Sequence, residues 1–68
     1  MTKNEISQAN RALYLAARGT EAQLNAFEDN AGAGLAAIID ELWEVAEEAG
    51  DKAMACRLAS AYKRLTAW

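Results

Sequence analysis

Sixty-eight residues with no histidine, no proline and a single cysteine point to one domain spanning 1–68. They leave out the usual means of neutral-pH proton transfer, disulfide stapling and zinc binding. Seventeen residues are alanine, so the 53% hydrophobic content overstates the apolar area that folding removes from water. The formal net charge of −3 is unevenly placed: residues 1–50 carry nine acidic and three basic side chains, and residues 51–68 one acidic and four basic. This argues against attraction of the whole chain to phosphate and leaves only its last segment basic.

Start and stop signals divide the chain into four helical segments. Thr2-Lys3-Asn4-Glu5 has the form of a capping box, in which the threonine hydroxyl accepts from a first-turn N–H and the glutamate reaches back to the cap. The helix it opens is predicted to run to about Arg18 and to stop at Gly19 in a left-handed conformation. Along it Ile6, Ala9, Leu13, Ala16 and Ala17 recur at helical spacing as a narrow stripe of mostly small residues, with Leu15 on the far side. Thr20-Glu21-Ala22-Gln23 repeats the capping box and predicts a short second helix to about Glu28. The stretch DNAGAG at 29–34 then breaks the pattern and reads as a flexible hinge. A third helix is expected over 35–49 and a fourth, capped by Asp51, over 52–67, with Gly50 at the turn between them.

The third helix has the clearest face. Leu35, Ile38, Ile39, Leu42, Val45, Ala46 and Ala49 cover an arc of roughly 160° at about 100° per residue, and Asp40, Glu41, Glu44, Glu47 and Glu48 stand opposite. On the fourth helix Met54, Leu58, Ala61, Tyr62, Leu65 and Trp68 share a face, flanked by Arg57 and Arg64 one heptad apart. Two matched faces around Gly50 predict an antiparallel hairpin, crossed by the first helix or paired with a symmetry mate. The fold class is therefore all-α: three to four short helices with a C-terminal hairpin. Ile6, Leu13, Leu15, Leu42, Leu58, Tyr62, Leu65 and Trp68 are expected as its packing or dimer-contact residues. A core so rich in alanine is marginal for a chain of this length, and with disulfides and metals lacking their ligands, oligomerisation is the remaining remedy. A dimeric helical bundle is expected.

Chemistry finds little to work with. A cysteine nucleophile needs a base beside it, and Cys56 falls opposite the apolar face of its helix with only Lys52 and Ser60 one turn away. Calcium loops present oxygen ligands on a turning backbone, whereas the carboxylates of 40–48 lie on a helix and point outward. The AGAG of 31–34 is followed by Leu-Ala-Ala, not by the Gly-Lys-Ser/Thr of a phosphate-cradling loop. The expectation is a chain that is not an enzyme and takes no cofactor, metal or small-molecule substrate. The opening residues have no apolar signal region and no run approaches the length of a membrane span. With a lone cysteine, these features predict a cytoplasmic protein without a membrane partner.

Residues 44–65 also invite a comparison with a DNA-reading helix-turn-helix, whose second helix presents its N-terminal residues to the major groove. Here those would be Lys52, Ala53, Ala55, Cys56 and Arg57. Only two of them make strong base contacts, and five carboxylates stand on the preceding helix, where phosphate contacts would be needed. A self-compensating hairpin, its basic helix lying along the carboxylates of another, is the better reading, and a nucleic-acid partner is not expected.

Aromatics at the borders of apolar faces suit a protein interface. Tyr14, Asp40, Trp43, Glu44 and Glu47 are the expected partner-binding residues of a module that regulates or inhibits a partner protein. In size, acidity and lack of catalytic residues the chain is similar in type to the small helical inhibitors of phages and mobile elements. The alternative is a small dimeric helix-turn-helix-like regulator that binds DNA or RNA.

Overall fold

The computed structural model describes residues 1–67. Among them stand four helices and no strand: α1 (Lys3–Arg18), α2 (Glu21–Ala31), α3 (Leu35–Glu48) and α4 (Lys52–Thr66). The expected all-α fold is the one formed. Trp68, counted above among the packing or dimer residues, lies outside the described residues.

Each helix start is fixed by a side chain close in sequence or just upstream. At α1 the Glu5 N–H donates to the Thr2 hydroxyl (3.2 Å) and the Thr2 N–H to the Glu5 carboxylate (2.8 Å). Thr20 and Gln23 repeat the reciprocal pair at α2, at 3.1 and 3.2 Å. At α3 the cap is Gly34, which has no side chain to offer. Its place is taken by Glu28 from the preceding helix, whose carboxylate accepts from the Leu35 N–H at 2.6 Å. A negative group there also meets the positive end of the α3 dipole.

The segment between α2 and α3 is thus shorter and more tethered than a free hinge. Asp29, Asn30 and Ala31 continue α2, which stops only where Gly32 turns left-handed (φ 74°) and its N–H donates to the Glu28 carbonyl. Between α3 and α4, Gly50 adopts φ 76°. Its N–H donates to the Glu47 carbonyl, and the Asp51 N–H to that of Ala46. This paired pattern is a Schellman closure, and Asp51 immediately caps α4 by accepting from the Met54 N–H at 3.1 Å.

Gly19 departs from expectation. It is extended (φ −67°, ψ 142°), not left-handed. Glycine is needed there for room: a Cβ would sit 2.7 Å from the Leu15 carbonyl oxygen and 2.8 Å from Leu15 Cδ2.

The α3–α4 hairpin is the most extensive pairing, α1 packs on both of its helices, and α2 touches α3. Leu35, Ile38, Ile39, Leu42 and Ala46 of α3 meet Met54, Ala55, Leu58 and Ala61 of α4. Ile39 and Leu58 are the largest fully enclosed side chains, and burying each stabilises the fold by about 1.5–3 kcal/mol. Val45 and Tyr62 are half-buried at the rim, and Ala49 is exposed as the C-cap of α3, where the hairpin turn begins.

On α1 the buried face is Ala9, Ala12 and Leu15. It lies roughly a quarter-turn from the stripe the spacing suggested, at about 100° per residue. Leu15 is 4% exposed and Ile6 37%, so Leu15 packs as a core residue while Ile6, expected on the buried stripe, faces outward. Two alanines in succession on that face bring the α1 backbone close to the hairpin, and Leu15 closes the end of the contact, where its own carbonyl receives the Gly19 N–H. Leu13 is half-buried against the core, and Leu65 is exposed at 40%. Met1, Leu24 and Phe27 add partial cover.

Candidate functional site

Positions 40, 43, 44 and 47 recur at helical spacing on the solvent side of α3, because the buried positions 35, 38, 39, 42 and 46 claim the other side. Asp40, Trp43, Glu44 and Glu47 together line one shallow concavity of about 240 Å³. Trp43 is the bridge between this surface and the core. Its half-buried ring lies 6.2 Å from that of Tyr62 at an interplanar angle of 49°, a tilted arrangement that contributes about 0.5–1.5 kcal/mol beyond burial. Its indole N–H donates to the Glu47 carboxylate at 2.9 Å. That bond fixes the ring's orientation and satisfies its one polar atom, leaving a held aromatic face bordered by three carboxylates. Glu41 and Glu48 do not line this concavity.

Four of the five expected partner-binding residues are therefore brought together. The fifth is not. Tyr14, 49% exposed, lines a separate groove of about 510 Å³ between α1 and α4, with Asn10, Leu13, Arg57, Ser60 and Arg64 among its neighbours. The separation follows from the hairpin: Trp43 faces one flank of α4, and α1 packs near the other.

The same groove corrects the expectation for Arg57 and Arg64. Rather than lying along the carboxylates of another helix, both open onto this α1–α4 groove, whose lining includes no carboxylate.

A third depression was not foreseen. Trp43, Glu47, Gly50, Lys52, Ala55, Cys56 and Ala59 enclose about 410 Å³ between α3 and α4. The signal for it lies in Ala55 and Ala59, two small residues one turn apart beside Gly50, which leave space next to the large Trp43. Cys56 is exposed and unpaired, and it borders this depression and the α1–α4 groove alike.

These placements bear on the DNA comparison. Ala55 is buried at 7% and has no surface to offer a base. Lys52 opens onto the α3–α4 depression and Arg57 onto the α1–α4 groove, so the two strong base-contacting side chains diverge. Among the described residues no three acidic or cysteine side chains converge on a point that would hold a metal ion. None of the described helices is long and apolar enough to cross a membrane.

No protein-family model matches the chain, and neither a curated protein nor a solved structure shows significant similarity to it.

Proposed function

We propose that this chain is a small, non-enzymatic helical interaction module that regulates or inhibits a partner protein through Asp40, Trp43, Glu44 and Glu47. The observation that carries this reading is the Trp43 indole, held by Glu47 at 2.9 Å in a concavity rimmed with carboxylates. A pre-oriented aromatic anchor loses little side-chain freedom on binding and is the kind of residue on which interface energy concentrates. The carboxylates select a basic partner surface and repel anionic ones. The type remains that of phage and mobile-element inhibitors, by analogy alone. We take the free chain to be a homodimer, for which exposed Ile6, Tyr14 and Leu65 supply apolar contact area. We place it in the cytoplasm, where an exposed free thiol such as Cys56 stays reduced.

The test is capture from a bacterial lysate on immobilised protein. One protein is expected to be retained by the unsubstituted chain and by Asn25→Ala, which alters an exposed residue of α2. It should be lost from the Trp43→Ala, Glu47→Gln double variant. Capture of the same protein by the double variant would show that this surface is not the binding one. A nucleic-acid regulator would instead retard duplex DNA or structured RNA in a gel, with affinity falling steeply as salt rises.

A further inference from the structure

We propose that the α1–α4 groove receives the acidic α3 face of a second copy of this chain, so that the protein associates with itself through oppositely charged surfaces. The groove supplies two guanidinium groups, Arg57 and Arg64, with the half-exposed Tyr14 ring and Leu13 between the helices and no opposing carboxylate in its lining. Arginine with an exposed aromatic is the composition that protein interfaces favour.

The complement is on the same molecule. Asp40 and Glu47 line the acidic concavity with Trp43, and they stand seven residues apart, as Arg57 and Arg64 do. At about 1.5 Å rise per residue both pairs are separated by about 10.5 Å, so two carboxylates and two guanidinium groups on straight helices pair at the same time. Trp43 and Tyr14 then supply the apolar contact between the two ion pairs.

The proposed association is two-fold: each copy offers its groove to the α3 face of the other, and a self-complementary contact of this kind ends at a dimer rather than growing a filament. The inference shares the α3 face with the function proposed above, and a partner protein on that face competes with the second copy. Its own test contains no partner, so either idea can fail without the other.

The experiment is sedimentation equilibrium on the whole chain at about 0.15 M salt, where exposed charges interact over about 8 Å. The unsubstituted protein is expected to be a dimer at micromolar concentration. Arg57→Glu with Arg64→Glu should be monomeric, with at least a tenfold weaker dimer, and so should Asp40→Arg with Glu47→Arg. An equimolar mixture of the two double variants should dimerise again, because each restores the charge its counterpart lacks. Circular dichroism on each variant checks that the exposed substitutions leave the helices intact. An unsubstituted chain that stays monomeric, variants that stay dimeric, or a mixture that stays monomeric would each overturn the proposal. So would a single-stranded RNA 20-mer that binds the unsubstituted monomer and is lost on Arg57→Glu, which would give the groove to nucleic acid.

Discussion

Removing the Glu28 carboxylate should destabilise the whole domain, although Glu28 lies outside the hairpin and outside both candidate surfaces. Leu35 is the first residue of α3, and its N–H has the Glu28 carboxylate as acceptor at 2.6 Å because Gly34 provides no side-chain cap. Losing a helix cap costs about 0.5–2 kcal/mol. A hydrogen bond to a charged group contributes about 1.5–3 kcal/mol, and the half-buried position of Glu28 argues for the lower end. Glu28→Ala is therefore expected to lose about 1.5 kcal/mol, and Glu28→Gln, which keeps a neutral acceptor, about 0.5 kcal/mol. At about 2.1 cal/mol/K per residue, unfolding 68 residues carries about 0.14 kcal/mol/K, so Glu28→Ala should lower Tm by about 10 °C. Urea and thermal unfolding followed by far-ultraviolet circular dichroism measure both quantities. Asp29→Ala is the control: it removes the same charge from the next, exposed position of α2 and should change stability by less than about 0.5 kcal/mol. Equal losses from Glu28→Ala and Asp29→Ala, or a loss below about 0.5 kcal/mol from the former, would refute the capping argument.

The α1 face is open to a paired comparison. Leu15→Ala should cost about 2–4 kcal/mol as a buried large-to-small change, whereas Ile6→Ala, at a 37% exposed position, should cost less than about 1 kcal/mol at concentrations where the protein is monomeric. Urea titration of both variants decides it, and the reverse order would restore the stripe that the sequence spacing suggests. Gly19→Ala should destabilise by about 1–3 kcal/mol through crowding against Leu15. Gly32→Ala meets nothing within 4 Å and should cost about 1–2 kcal/mol through its left-handed backbone alone. Asparagine separates the two causes: it tolerates the left-handed region and should recover most of the loss at Gly32, whereas at Gly19 its Cβ meets the same Leu15 backbone.

The sequence by itself determined the four elements and the caps that open α1, α2 and α4. Helix punctuation is local chemistry: a threonine three residues before a glutamate or glutamine satisfies the first N–H groups whatever the rest of the chain does. Thr2 and Thr20 accordingly cap where their spacing says, and Gly50 with Asp51 turns the chain as expected. The α3 face was equally legible, because five large apolar residues on one side and five carboxylates on the other leave a single way to bury it. Tertiary structure decided what local chemistry leaves degenerate. On α1, alanines occupy several faces at similar hydrophobicity, so which one is buried depends on how closely its backbone can approach the hairpin, and the answer was Ala9, Ala12 and Leu15. Glu28 reaches its acceptor role across seven residues and a glycine turn, a pairing that no short motif encodes. The expected five-residue surface was divided for the same reason. Periodicity along α3 placed Asp40, Trp43, Glu44 and Glu47 on one face, but only the packing of α1 near the far flank of α4 carried Tyr14 away to Arg57 and Arg64.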